Sequence, residues 1–325
     1  MKRICCLWWT VASLCAFAQN PAAFHRIQPT NLPPIVQLAL NAQGKLKYSG
    51  RGLVTVHRPD ADETLEDLVW QQGLSSRIEY PQGSTRYGEV IVESPSLGRL
   101  HYRPHPNEIE VGSYRRGGIR LGLAIPWRHQ ETTFNVGGLQ AIAGQRAQYV
   151  EMLTGGKIVQ RLWISPESGL VLKKTVLDPH SGRLIFSSEF EQITMNPVIS
   201  PDMFKLNIPG ARIVTQRDLV ARLEQSHGFT ETILPASPRF TLDGGNVFRP
   251  NGSTQTLEQR YSGPGGRFNL FQVKGPVDPR MLNHWAHGLK TLSWSRNGET
   301  LAIVGNIDDA TLHDVARQLG APNQP

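Results

Sequence analysis

The chain contains little cysteine, and all of it lies near the N-terminus. The three cysteines are Cys5, Cys6 and Cys15. Beyond residue 18 there is therefore no thiol that could form a disulfide, bind a metal or act as a nucleophile. Cys15 follows Leu14 rather than a small residue, which argues against a lipid-modified cysteine.

Long apolar runs are equally scarce, and the one clear example is also N-terminal. Lys2 and Arg3 precede an apolar stretch over residues 4–14, and Ala16-Phe17-Ala18 then matches the A-x-A pattern of signal peptidase. The stretch is too short to cross a bilayer as a helix. We predict a secretory signal peptide over residues 1–18, cleaved after Ala18, and no transmembrane segment in the mature chain.

A large excess of one charge is absent as well. The formal net charge is +7, and loss of Lys2 and Arg3 with the signal peptide leaves +5. A mildly basic surface suits an acidic partner or anionic lipid head groups. Scattered arginines on a soluble surface explain the same charge equally well. We predict no nucleic-acid partner.

Familiar catalytic motifs are missing too. The chain has no H-E-x-x-H, G-x-S-x-G or S-x-x-K pattern. His101 and His105 alternate with Arg103, and His284 and His287 are three residues apart, but no carboxylate pattern accompanies either pair. We therefore predict a protein that is not an enzyme and that holds no metal and no cofactor. A secreted hydrolase with an unrecognised site is the least favoured alternative.

The first part of the mature chain predicts one short helix followed by many strands. Pro33 and Pro34 suit a first helical turn with Asn31 as N-cap, and the predicted apolar stripe consists of Ile35, Leu38, Ala39 and Ala42. Apolar and polar residues alternate over residues 46–56, as in a strand with one solvent-exposed face. Gly50 and Gly52 lie on its apolar face, where they would allow the close approach of a helix or a bend in the strand. Further strand-like runs without βαβ alternation indicate a large antiparallel sheet.

Residues 139–193 predict an antiparallel meander of four strands. Its turns are Gly155-Gly156, residues 166–169 and residues 178–182. Leu184, Phe186 and Phe190 fall on one face of the last strand. Core packing is the simpler interpretation of that face, and a cavity for an acyl chain or an apolar peptide is the alternative. The candidate cavity residues are Trp127, Trp163, Phe186 and Phe190.

The last third predicts a small α+β domain over residues 228–320. Thr215 to Asp218 resembles a capped helix start, and Asn297-Gly298 is a hairpin signal because type I′ turns need positive φ. A final helix is predicted to begin at Asp308 or Asp309. We assign residues 30–209 to the larger domain and residues 210–227 to a linker or hinge.

A set of residues along the meander matches a known family. They are Gly144, Arg146, Val150, Arg161, Trp163, Ser168-Gly169-Leu170, Lys173, Asp178, Gly182, Phe190 and Ile193. In this pattern the chain resembles the MucB/RseB family of periplasmic regulators of envelope-stress sigma factors, whose N-terminal domain is similar to the lipoprotein carriers LolA and LolB. Trp294, residues 296–298 and residues 303–305 look like the family's small second domain. Ser165 departs from the pattern, since the family often has an acidic residue there.

The resemblance implies a fold and a function. The expected fold is α+β: a large half-open antiparallel β-barrel with helices in its mouth, followed by a small α+β domain. The expected function is a periplasmic one, in which the protein binds the periplasmic domain of a membrane-anchored anti-sigma factor and shields it from proteolysis. A lipid or lipopolysaccharide-type ligand in the barrel would release the partner. The alternative is a periplasmic lipoprotein or lipid carrier that uses the same half-barrel.

Overall fold

The computed structural model describes residues 32–58, 60–114, 132–249, 254–275, 277 and 289–322. The chain forms two compact units that meet in sequence between Ile213 and Val214. The predicted signal peptide, Trp127, His284 and His287 lie outside the described residues. In the part of the chain that is described, no helix is long and apolar enough to cross a membrane.

The N-terminal unit is built on one sheet of 12 strands. In chain order they are β1 Lys47–His57, β2 Asp62–Gln72, β3 Ser75–Glu79, β4 Val90–Ser94, β5 Gly98–Arg103, β6 Glu108–Gly112, β7 Thr132–Ile142, β8 Gln145–Thr154, β9 Lys157–Ile164, β10 Val171–Leu177, β11 Leu184–Met195 and β12 Arg212–Val214. The spatial order is β12-β6-β5-β4-β3-β2-β1-β11-β10-β9-β8-β7. The end strands β12 and β7 are not neighbours in this order, so the described sheet is not closed. The predicted large antiparallel sheet is confirmed, and its curvature into a half-barrel stays a prediction.

Helix α1, Pro34–Ala42, packs on one face of this sheet, which we call the inner face. The helix buries Val36, Ala39 and Ala42, whereas Leu38 is 36% exposed. The prediction that Leu38 belongs to the buried apolar stripe was therefore wrong. Small residues let the helix backbone come close to the turn before β10, where a Cβ added to Gly169 would lie 2.8 Å from the carbonyl oxygen of Leu38. A bulky side chain on this side of the helix would prevent that contact.

Gly50 of β1 makes room for a side chain from β11 rather than for a helix. A Cβ added to Gly50 would lie 2.9 Å from the ring of Phe190 and 2.7 Å from the carbonyl oxygen of Gln192. The register between β1 and β11 shifts between Arg51 and Gly52, so a bend is also present. The ring of Phe190 and this bulge together explain why the apolar face of β1 has no side chain at Gly50.

The three predicted turns of the meander are present, and the structure adds a fourth turn that was not predicted. Hairpins join β8 to β9, β9 to β10 and β10 to β11 at the expected positions. The first predicted strand is in fact split, because Ala143 and Gly144 form a two-residue turn between β7 and β8 with φ of 49° and 72°. Two positive φ values suit this kind of hairpin. Alanine rarely adopts them, so the sequence carried only half of the usual signal.

The opposite face of the N-terminal sheet, which we call the outer face, is partly covered by the segment after β11. A short 3₁₀ helix, Pro201–Phe204, begins with Ser200 as its cap. Phe204 and Ile199 pack on Val92. This segment covers part of β3 and β4.

The C-terminal unit is a five-stranded antiparallel sheet with two helices. Its strands, in spatial order, are β13 Thr241–Phe248, β14 Thr256–Gly263, β15 Gly266–Lys274, β17 Glu299–Asn306 and β16 Lys290–Arg296. Helix α2, Gln216–His227, begins with the predicted capping box between Thr215 and Asp218. Helix α3, Asp309–Gln318, is capped by Asp308. The Asn297-Gly298 hairpin between β16 and β17 is confirmed, with φ of 53° and 77°.

The predicted linker or hinge at residues 210–227 contains helix α2. Val220 and Glu224 of α2 are buried, and a Cβ added to Gly245 of β13 would lie 2.6 Å from Val220. That residues 210–227 act as a hinge stays a prediction. Residues 210–215 are the part of this range that lies outside helix α2.

Candidate functional site

The inner face of the N-terminal sheet has an apolar part and a charged part. The apolar part runs from Ile91 of β4 through β3, β2, β1 and β11–β8 to Ile142 of β7. Its fully buried side chains include Val150, Met152, Leu162, Leu172 and Phe190, which form one cluster with Val36 and Ala39 of α1. Cross-strand pairing aligns these positions on one face, because residues paired across antiparallel strands point the same way. The sheet therefore offers an apolar wall that α1 partly covers.

Two of the predicted cavity residues share this wall. Phe186 and Phe190 pair with Val56 and Gly52 of β1, so both point to the inner face. Phe190 is 1% exposed, and its ring meets that of Tyr48 edge-on. Phe186 is only partly buried. Phe190 is thus a core residue, and Phe186 is the more exposed of the pair.

Trp163 lies on the outer face, away from both phenylalanines. It pairs with Tyr149 of β8 and Lys173 of β10. Its ring is 5.1 Å from that of Tyr149, the Lys173 ammonium lies 5.1 Å from the ring centroid, and its indole N–H donates to Gln140 over 2.7 Å. The structure therefore does not bring Trp163 together with Phe186 and Phe190. Trp127 is not among the described residues.

The charged part of the inner face centres on Tyr80, Arg86, Glu89, His101 and Glu110, which we call the charge cluster. His101 is 6% exposed. Its Nε2 lies 2.7 Å from Glu89 and 3.1 Å from Arg86, and its Nδ1 lies 3.4 Å from Glu110. The Arg86 guanidinium stacks 4.2 Å above the Tyr80 ring and donates to its hydroxyl over 2.7 Å. Each charge in the cluster has a counter-charge within reach.

Burial raises the pKa of a carboxyl group, whereas ion pairs and hydrogen bonds to it lower that pKa. In this cluster the lowering is the larger effect for both carboxylates. Burial alone would raise the pKa of Glu89, but hydrogen bonds from His101 and Arg86 lower that pKa to about 2. The pKa of Glu110 is also lowered, because His101 and Arg103 outweigh its burial. Burial raises the pKa of Tyr80 in spite of the nearby Arg86 charge. At neutral pH the two carboxylates are ionised.

His101 and Arg103 thus belong to ion pairs, whereas His105 is exposed. Arg103 Nε lies 2.8 Å from Glu110. The described residues contain no group of three or more potential ligands arranged to hold a metal ion. The sequence offered a signal for this cluster in the alternation of His101 and Arg103 on β5, but Arg86 and Glu89 come from the loop before β4. Their meeting with His101 depends on strand register.

A second buried polar cluster lies in the C-terminal unit, beneath α2. Glu224 is 2% exposed and accepts from the Thr232 N–H over 2.9 Å and from the Gln259 amide over 3.1 Å. Tyr261 donates to Gln259 over 2.7 Å. Burial raises the pKa of Glu224 to about 7, against these two hydrogen bonds. The carboxyl group of Glu224 therefore titrates near neutral pH.

Among the described residues, strand β7 has one edge without a strand partner, which we call its open edge. In the described chain it pairs with β8 alone. Its sequence, TTFNVGGLQAI, has no charge and no proline, which are the usual protections of an edge strand. Val136 and Leu139 are 49% and 51% exposed. Val136 pairs with the buried Val150, so the apolar wall of the inner face continues to this edge.

Known structures similar to the chain include complexes of MucB. No protein-family model matches the chain, and no curated protein does. MucB in complex with MucA(peri) is 15% identical, with a TM-score of 0.44 over 87% of this chain and 96% of that chain. The MucA/MucB complex of Pseudomonas aeruginosa is 14% identical, with a TM-score of 0.43 over 87% and 95%. A LolA superfamily protein from Nitrosomonas europaea is 10% identical, with a TM-score of 0.27 over 52% and 97%. These identities are too low to transfer an activity or a partner.

Proposed function

We propose that the protein is a periplasmic regulator of an envelope-stress sigma factor. It binds the periplasmic segment of a membrane-anchored anti-sigma factor and shields that segment from proteolysis. The main support is the set of meander residues that resemble the MucB/RseB family. A large sheet followed by a small α+β unit agrees with the layout that this resemblance implies.

Several of the meander residues that match the MucB/RseB pattern make specific structural contacts in this chain. Gly169 has φ of 74°, and it allows the turn before β10 to touch α1. Lys173 lies over Trp163 and pairs with Glu189 over 2.6 Å. Phe190 anchors β11 to the core. These residues therefore fix how the meander is built, which supports a shared fold more directly than a shared binding site.

The open edge of β7 suits a partner segment in extended conformation. Unpaired N–H and C=O groups along an edge strand accept a peptide strand by main-chain hydrogen bonds, and alternate side chains of that peptide give specificity. Val136 and Leu139 would receive apolar side chains of the bound segment. A segment held in this way has its backbone paired, and a protease that needs an extended free substrate could not take it.

Release of the partner by a lipid-type ligand is the second part of the proposal, and the apolar wall is the surface on which that ligand would bind. An acyl chain bound along Phe186 and the inner face would compete with the packing of α1 and the side chains that extend to β7. A ligand changes the partner's affinity only by its preference for the free protein over the complex. A tenfold preference would weaken the complex tenfold, or by about 1.4 kcal/mol.

A pull-down from envelope extract tests the proposed partner. The mature chain should recover a membrane-anchored anti-sigma factor. Recovery of lipoproteins without any anti-sigma factor would contradict the proposal and favour the alternative, a periplasmic lipoprotein or lipid carrier. The apolar wall is the observation that favours this alternative. Transfer of a lipidated substrate between two membranes by the purified protein would support it.

A further inference from the structure

Three polar side chains on the outer face of the N-terminal sheet form a continuous hydrogen-bonded series. His57 Nδ1 lies 2.8 Å from an Asp62 carboxylate oxygen, and His57 Nε2 lies 3.3 Å from the Ser187 hydroxyl. Asp62 is an acceptor when ionised, so the proton of the neutral ring resides on Nδ1. Nε2 is then the acceptor for the Ser187 O–H. A hydroxyl, a base and a residue that orients the base are the parts of an activated serine.

Strand register brings these residues together from distant parts of the chain. His57 pairs directly with Asp62 across β1 and β2. Ser187 pairs with Thr55, so His57, two residues further along β1, is its diagonal neighbour on the same face. Ser187 and Phe186 point to opposite faces, and the series is therefore separate from the apolar wall. The side chains of His57 and Asp62 are 20% and 58% exposed, and a small reagent can reach the ring.

We propose that Ser187 is a nucleophile activated by His57, and that it cleaves small activated esters with short acyl chains. The Ser187 Oγ–H proton passes to His57 Nε2 as Oγ bonds to the carbonyl carbon. The ester C–O bond breaks, and the leaving alcohol takes the proton from His57. Water then gives its proton to His57 and cleaves the acyl-serine, which releases a carboxylic acid and restores the Ser187 hydroxyl. A short acyl group needs no apolar cavity, and Ser187 faces away from the apolar wall of the inner face.

The residues have different roles in this reaction. Ser187 bonds to the acyl group, and His57 moves the proton. Asp62 is a positioning residue that acts through His57. General-base assistance of this kind contributes about 10²–10⁴ in rate, so loss of His57 should slow the reaction of Ser187 by at least about 100-fold.

Labelling of the full mature chain with a fluorophosphonate tests the proposal, because this reagent phosphonylates activated serines with loss of fluoride. The adduct is located by peptide mass spectrometry, and hydrolysis of p-nitrophenyl acetate is measured in parallel. We expect the adduct on Ser187, none in Ser187→Ala, and labelling at least about 100-fold slower in His57→Gln. Ser188→Ala is the matched control: Ser188 is 1% exposed, points to the inner face and has no hydrogen-bond partner for its hydroxyl. Its labelling should equal that of the parent chain.

Two results would overturn the proposal. One is a parent chain without an adduct on Ser187. The other is a folded His57→Gln chain, with the parent's unfolding midpoint, that is labelled at the parent's rate. If His57→Gln does not fold, the pH profile of the parent chain decides, since labelling that does not follow titration of an imidazole would equally exclude His57 as the base. Asp62→Asn should shift that profile, because an amide that donates to Nδ1 reverses the ring tautomer, while a purely structural Asp62 would leave it unchanged.

Discussion

The ring of Phe190 stands edge-on against the ring of Tyr48, with centroids 5.7 Å apart and 85° between the ring planes. The two residues come from β11 and β1, and both belong to the buried cluster that also contains Val36 and Ala39 of α1. Gly50 leaves the space that the Phe190 ring fills. This contact therefore connects the meander, the first strand and the helix, and it is central to the stability of the N-terminal unit.

Replacement of Phe190 tests that statement. Phe190→Ala should lower the free energy of unfolding by about 3–5 kcal/mol, because it removes a buried ring and leaves a cavity. Phe186→Ala is the matched control on the same strand and face, and its loss should be clearly smaller because Phe186 is only partly buried. Urea unfolding followed by fluorescence gives both values. Equal losses would mean that Phe190 is not the anchor of β11.

A substitution in the turn at Ala143 and Gly144 should make the chain more stable. Ala143 has φ of 49°, which costs an L-residue with a Cβ about 1–2 kcal/mol. Ala143→Gly should raise the free energy of unfolding by about 0.5–1 kcal/mol once the extra chain entropy of glycine is deducted. Gly144→Ala should lower it, although an added Cβ meets no atom within 4 Å. A stabilising Gly144→Ala would exclude backbone strain as the cause.

Glu224 predicts that the C-terminal unit becomes less stable as pH rises. Burial raises the pKa of Glu224 to about 7 in the folded chain, from an ordinary value of 4.5, so the folded chain holds this proton more tightly than the unfolded chain does. The associated stability is complete below pH 4.5 and is lost as pH rises through 7. The whole change is on the order of 3 kcal/mol. Glu224→Gln should reduce the difference in unfolding free energy between pH 5 and pH 8, and an unchanged difference would mean that Glu224 is not its source.

The open edge of β7 predicts which substitutions weaken partner binding. Val136→Lys and Leu139→Lys place a charge where the partner's apolar side chains would pack, and edge lysines oppose strand addition. Each should weaken binding of the anti-sigma segment at least about tenfold, or about 1.4 kcal/mol. Ile213→Lys is the matched control, since Ile213 is 60% exposed on β12 at the other edge of the same sheet. Calorimetric titration that finds equal losses for both edges would exclude β7 as the specific site.

Features set by neighbouring residues were predictable from the sequence. The capping box at Thr215 and Asp218, the Asn297-Gly298 hairpin and the meander turns each depend on a few adjacent residues with strong backbone preferences. Phe186 and Phe190 were placed on one face by alternation alone. The turn at Ala143 was not predicted, because alanine gives no sequence signal for a positive φ.

Features that depend on register could not be predicted in this way. Trp163 and Phe190 are on opposite faces, which follows only from how β9, β10 and β11 pair. The meeting of His57 with Ser187 spans 130 residues, and no local pattern near either residue indicates it. For the same reason the charge cluster around His101 resembled an unpaired group of histidines in the sequence.

Protection of the anti-sigma segment from cleavage is the most direct test of the proposed function. The purified periplasmic segment is mixed with its regulatory protease, with and without the mature chain in molar excess, and cleavage is followed over time. The proposal predicts that the mature chain slows cleavage strongly, that Val136→Lys restores it, and that an added lipid-type amphiphile restores it as well. Cleavage at the same rate with and without the mature chain would contradict the central claim.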